Sequence, residues 1–375
     1  MKESVWSHLR QALAWKPPSA RYGISPFQQG LVGAVGALGI GVPSVIGAIT
    51  GHLPVGLIVA TGSLPVAGIG FAPTLREQWR QSMMAMIECL LAVACVQLIS
   101  GLGSMAVLAV PVIGTLVAQF GTISRSTIVF AMRFTLAFVM ALNVFGGSGS
   151  DHSIAGPLLL ALGSIWTSLL WLGAALLLRW LSPPPPEEPQ PVYSWSLRLK
   201  FWRERTLRTP AGWSYSSRLF MCLVPAAAAD LVFPHRHMLW IAFTVVLLLP
   251  RQAEVMPLRV TQRTAGMLVG VALARALLWL DLTSGALIAA LSLLMMAQPL
   301  LRDRNYAGYS ALITMLVLLL IDASGSGGDD LLVERMIATL AAAALVIAAN
   351  AVFRRVAPFL LSSPGPAPPP PPAKP

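Results

Sequence analysis

Glu88 and Arg133 each stand as a lone charge within a long apolar run. A charge at mid-depth in hydrocarbon costs about 3 kcal/mol or more, so it requires a partner, a wet cavity or a task. Glu88 follows Arg80 by eight residues, and Arg133 follows Arg125 by eight. At 1.5 Å per helical residue both lie ~12 Å beyond a basic anchor, a shared depth at which they can meet. The pair is either functional or static. In the functional reading a carboxylate exchanges a proton, or an arginine holds an anionic solute, with the other group as its resting counter-ion. In the static reading a buried pair fixes helix packing. Arg275 maps farther along its own run, towards the outer side with Asp322, Glu334 and Arg335, where an outer gate competes with simple snorkelling to the interface.

Thr61, Gly62, Ser63 and Pro65 interrupt the second apolar run, and Thr244 precedes Pro250 in a later one. Proline frees a carbonyl and bends a helix, so hydroxyls and unpaired backbone groups there can face a cavity of the kind in which transporters bind ligands. An ordinary kink satisfied by a neighbouring Ser or Thr is the competing reading. The candidate solute-binding residues are therefore Arg133, Arg275, Thr61 and Thr244, with Glu88 as the proton-coupling group.

No Ser-His-Asp, Cys-His or paired-carboxylate grouping lies at a spacing that supports covalent or acid-base catalysis, so an enzyme is not expected. His52, His235 and His237 map to helix ends with no second ligand cluster, and neither a metal nor a cofactor is expected. Cys89, Cys95 and Cys222 sit in apolar runs without metal spacing and read as small buried hydrophobes. Gly30, Gly33, Gly36 and Gly39 recur every third residue, and Gly266, Gly270 and Ala274 every fourth. Small residues at these intervals let helix backbones approach closely. A phosphate-binding loop is excluded, because no strand precedes either run.

The elements that position these residues are helices dissolved in lipid. The chain has 375 residues, 56% hydrophobic and 11% charged, with a mean hydropathy of +0.72. That balance excludes a cytosolic enzyme, a disulfide-built secreted domain and a disordered protein. Apolar stretches lie near 27–50, 53–71, 82–100, 104–121, 127–146 and 154–181. Six more follow near 217–233, 237–250, 263–280, 283–301, 306–321 and 331–353, of which 237–250 is short. The expected fold is an all-α membrane protein with about 12 transmembrane helices. A net charge of +11 would suggest nucleic acid in a soluble protein. Here it reports orientation, and no nucleic-acid partner is expected. Nearly all of the 26 Lys and Arg residues fall in loops on one side of the alternating map, while Asp151, Asp230, Asp281, Asp322, Asp329 and Asp330 fall on the other. Both termini are thus expected in the cytoplasm, with an even number of spans. The first 25 residues lack the apolar core of a cleavable signal peptide.

The two halves read as copies. At a constant offset of 183 residues, Thr61, Leu64, Leu75, Arg76, Arg80 and Met84 fall on Thr244, Leu247, Leu258, Arg259, Arg263 and Met267. Six helices per half make the repeats parallel. The expected domains are an interfacial amphipathic segment over 1–26, a first six-helix repeat over 27–181, and a Pro-rich, basic amphipathic connection over 182–214. A second six-helix repeat over 215–355 and a disordered Pro-rich tail over 356–375 complete the chain. Trp6, Leu9 and Leu13 open one half and Trp195, Leu199 and Trp202 the other, at helical spacing beside basic residues.

His237, Trp240, Ile241, Ala242, Thr244, Arg259, Gln262, Arg263, Gly266, Gly270, Tyr306, Tyr309, Arg335 and Thr339 together resemble the fusaric acid resistance protein-like membrane domain, over about 237–340 and more weakly in the first half. The resemblance implies an aromatic carboxylic acid exporter of the bacterial inner membrane, with a small organic anion as substrate. Some family members work with a periplasmic adaptor protein. Plant aluminium-activated malate transporters, which are dimeric anion channels, are similar in the membrane part, so a homodimer is a further implied partner. Two departures stand out. Only the 182–214 connection takes the place of the large cytoplasmic domain many such exporters carry, and Ala341–Ala344 replace a glycine of the family pattern. Three functions remain open from the sequence: proton-driven export of organic carboxylates, a passive anion pore, and a structural membrane subunit without flux of its own.

Overall fold

The computed structural model describes residues 26–72, 74–145, 155–181, 194–233, 238–249, 251, 256–323 and 331–361. The expected segment over 1–25, the proline run after 181 and the tail beyond 361 lie outside the described residues, as do Asp151, His235 and His237.

Among the described residues every regular element is helical. The first half holds α1 (Pro26–Ile49), α2 (Leu53–Gly62), α3 (Leu75–Ser100), α4 (Ala109–Phe120), α5 (Arg125–Phe145) and α6 (Ala155–Leu181). A short surface helix, α7 (Trp195–Trp202), leads to the second half. That half holds α8 (Ser214–Val232), α9 (Trp240–Leu248), α10 (Met256–Leu278), α11 (Ser284–Arg304), α12 (Tyr306–Ile321) and α13 (Leu331–Leu361). Starts are marked by local chemistry. Thr74 accepts from the Glu77 amide at 3.0 Å, and Asn305 closes α11 while accepting from the Gly308 amide at 3.0 Å to open α12. A one-residue connection forces α11 and α12 antiparallel.

The expected twelve spans meet a different distribution of lengths. Among the described residues eight helices are long and apolar enough to cross a membrane: α1, α3, α4 with its 3-10 lead from Gly103, α5, α6, α8, α11 and α13. Leu53–Ala67 and Tyr306–Ile321 are shorter, α9 has nine residues, and α10 carries Arg259, Arg263 and Arg275. Nine residues rise ~13 Å, less than half a hydrocarbon core. Every residue of α9 except Leu247 is buried, so its apolar character answers to protein neighbours rather than lipid.

The packing has an order that the chain direction alone does not require. In the first half α1 packs on α2 and α6, α2 on α6, α3 on α5 and α6, and α4 on α5. In the second half α8 packs on α9 and α13, α9 on α13, α10 on α12 and α13, and α11 on α12. Between the halves α1 meets α11 while α8 meets α4, and α2 meets α12 while α9 meets α5. Leu98, Trp180 and Leu293 on the outer surface are largely exposed, the inverse of a soluble protein's surface and what a lipid-facing exterior requires.

The break after α2 is closed by its neighbours. One further turn, Leu64–Ala67, follows Ser63, whose hydroxyl donates to the Gly39 carbonyl on α1 at 2.8 Å. Carbonyls around the break accept from side chains of neighbouring helices: Gly62 from Ser164 at 2.6 Å, Val66 from the Trp171 indole at 3.2 Å, and Gly68 from Arg302 at 3.0 Å. This is the ordinary-kink arrangement, in which the hydroxyls hold helices together.

Candidate functional site

Helices α3 and α5 pack side by side and bring Glu88 and Arg133 into each other's electrostatic reach. Glu88 is 3% exposed, and its Oε2 is buried without a hydrogen-bond partner. Arg133 is partly exposed. Their shared depth was readable from the sequence, yet no ion pair within 4 Å joins them. Glu77 and Arg80, at the start of α3, do form a carboxylate–guanidinium pair, at 3.0 Å. Arg302, at the end of α11, is a third member of the group: its charge acts on Arg133 while its Nη1 caps the break of α2 at Gly68. The first-half site is thus a buried carboxyl beside the Arg133 guanidinium, which also feels the charge of Arg302 from the second half. This excess of positive charge suits an anion.

A second charged group lies in the second half, built from Arg263 and Arg335. The sequence places Arg335 with Arg275 at an outer interface. Instead it is 2% exposed, with its guanidinium 3.8 Å from the Trp240 ring centroid and 5.5 Å from that of Phe243. Its Nε and Nη1 have no hydrogen-bond partner. Arg263, 3% exposed on α10, acts on Arg335 by charge repulsion, and its Nε is likewise unpartnered. Arg263 is the eighth residue of α10 and Arg335 the fifth of α13, and the two helices pack on one another. Thr244 is 1% exposed, one turn beyond Trp240 on the same face of α9, with Oγ1 unpartnered. Glu334 is buried at 8% exposure beside Arg335 in sequence but forms no ion pair with it. The available signal was the run of family-like residues itself, in which Arg263 and Arg335 stand without a carboxylate at helical spacing.

The remaining candidates lie elsewhere. Thr61 donates to the Leu57 carbonyl of its own helix at 2.8 Å. Arg275 is exposed near the end of α10, over the Trp279 ring at 5.6 Å, the arrangement expected of a snorkelling arginine. Asp281 and Asp322, with Leu53, Ser284 and Leu287, line an open cleft of about 350 Å³ at that end of the bundle. No group of three or more His, Cys, Asp or Glu residues among the described residues could hold a metal ion.

Residues 224–349, from within α8 to within α13, match the family model described as fusaric acid resistance protein-like. No curated protein and no solved structure matches the chain.

Proposed function

We propose that this multi-pass membrane protein of transporter type, fusaric acid resistance protein-like over residues 224–349, exports small organic carboxylates, aromatic acids among them, at the expense of the proton gradient. Arg133 attracts the carboxylate and Glu88 carries the proton. The observation behind this reading is a buried carboxyl with an unpartnered oxygen, next to an arginine to which it is not ion-paired. In the exchange Glu88 takes a proton as the outward-facing site gives up its anion, and releases that proton inside as the site takes up the next anion, so proton and anion occupy the site alternately and cross in opposite directions. An inside-negative potential adds outward drive of about 2.3 kcal/mol per charge per 100 mV. The reciprocal packing of α1–α6 and α8–α13 supports two parallel repeats that rock against one another, with Arg302 carrying second-half charge to the first-half site.

The test is uptake of labelled benzoate into inside-out vesicles. Uptake collapses with an uncoupler, and Glu88→Gln abolishes the proton-dependent part without affecting assembly. Uptake that persists down a gradient despite the uncoupler would instead establish a passive pore. No uptake by the intact protein would favour a structural subunit.

A further inference from the structure

We infer that the Arg263–Arg335 pair in the second half is a separate binding site for the carboxylate group of an organic anion, with Trp240 and Thr244 in its wall. Two guanidinium groups, each at least 97% buried, act on one another with no carboxylate between them. Removing a charge from water is costly unless it is paired, and a like charge nearby adds to the cost. The Trp240 ring offsets part of this for Arg335. It cannot satisfy N–H groups that lie without acceptors, and three such nitrogens are present: Nε and Nη1 of Arg335 and Nε of Arg263. The Thr244 hydroxyl is a further buried donor without a partner.

A structural explanation would require these groups to bond to the protein, as Arg218 does with Ser214, Asn350 and Arg251. They do not, so the missing partner is an acceptor from outside the chain. Its chemistry follows from the donors. It carries at least one negative charge and several acceptor lone pairs, and it is small enough to sit between α9, α10 and α13. A carboxylate supplies two oxygens for two guanidinium groups, which a monatomic halide does not. The apolar Trp240 and Phe243 rings suit a carboxylate borne on an apolar or aromatic body. The inference rests on the organic-anion reading above for the identity of the ligand class. It does not depend on proton coupling or on Glu88.

The experiment is equilibrium binding of benzoate to the purified full chain in detergent, with chloride as the competing arm, read by tryptophan fluorescence and by dialysis. Benzoate is expected to change the fluorescence in a way that Trp240→Phe removes, and excess chloride to compete only weakly. Arg335→Gln and Arg263→Gln each lower affinity tenfold or more in protein that elutes as wild type. Thr244→Val guards against misfolding: it deletes an unpartnered hydroxyl, so it leaves the unliganded protein as stable as wild type or more so, yet weakens benzoate binding severalfold. Wild-type affinity in both arginine variants, or chloride competing as well as benzoate, would overturn the assignment. A Glu88→Gln protein that binds benzoate normally but loses proton-dependent flux leaves this site standing. Normal flux in Glu88→Gln, with binding lost in Arg335→Gln, removes the coupling reading alone.

Discussion

Gly33 on α1 faces the backbone carbonyl of Met296 on α11 so closely that a Cβ built on the glycine would stand 2.6 Å from the oxygen. This is a seam between the halves, and it sorts the evenly spaced glycines of α1 by role. Gly36 meets Met295 at 3.3 Å in the same way, whereas Gly30 has nothing within 4 Å. Gly33→Ala must push two helix backbones apart and should destabilise by about 2 kcal/mol. Gly30→Ala should be neutral or slightly stabilising. Thermal unfolding in one detergent compares the two, and equal effects would refute the seam.

Arg218 is 2% exposed at the start of α8 and holds three elements at once. Its Nη2 donates to the Arg251 carbonyl at 2.9 Å, its Nε to the Ser214 carbonyl at 3.1 Å, and its Nη1 to Asn350 Oδ1 at 3.5 Å. Arg218→Leu leaves those acceptors buried and should cost about 3 kcal/mol. Arg218→Lys should recover little, because one ammonium lacks the planar fork. The readout is the folded fraction by size exclusion after a mild heat step.

Arg302 is exposed and bonded to the Gly68 carbonyl, so removing it should alter stability by less than about 1 kcal/mol. Its charge nevertheless acts on Arg133. Arg302→Gln should therefore raise the KM for an organic anion about threefold at unchanged thermal stability, with the effect shrinking at high salt. A variant that unfolds earlier yet keeps its KM would mean that Arg302 only caps the break.

Trp202 fastens α7 to the end of α4. Its indole donates to Thr122 Oγ1 at 2.8 Å and to the Gln119 carbonyl at 3.2 Å, and it stacks on Phe120 at 5.6 Å between centroids. Trp202→Ala should free the segment that follows and speed trypsin cleavage between Arg203 and Arg208 severalfold. Unchanged cleavage under limited proteolysis would show that the indole is not the anchor.

The depth of Glu88 and Arg133 was legible because helical rise is constant, so equal distance from a basic anchor means equal height. Their failure to form an ion pair was not legible, because it depends on how α3 and α5 are turned about their own axes. Arg263 and Arg335 were missed for a related reason. Arg263 lies four residues after Arg259 and reads as one more interfacial anchor, and Arg335, near the start of the run over 331–353, reads as a snorkelling or gate residue at the outer interface. Only neighbours from α9 and α13 reveal that both are enclosed. The short α9 likewise reads as apolar, but apolar composition registers removal from water without distinguishing lipid from protein as the new surroundings.

Composition by itself settled that the chain is a set of helices in a bilayer, because a backbone without water must satisfy its own hydrogen bonds and a helix does so within one segment. It also settled which side chains are costly there. Tertiary structure decided which helices are enclosed by others, which glycines meet a backbone, and which charges stand together. Those outcomes depend on side chains far apart in sequence whose relative rotation is fixed only when the helices pack.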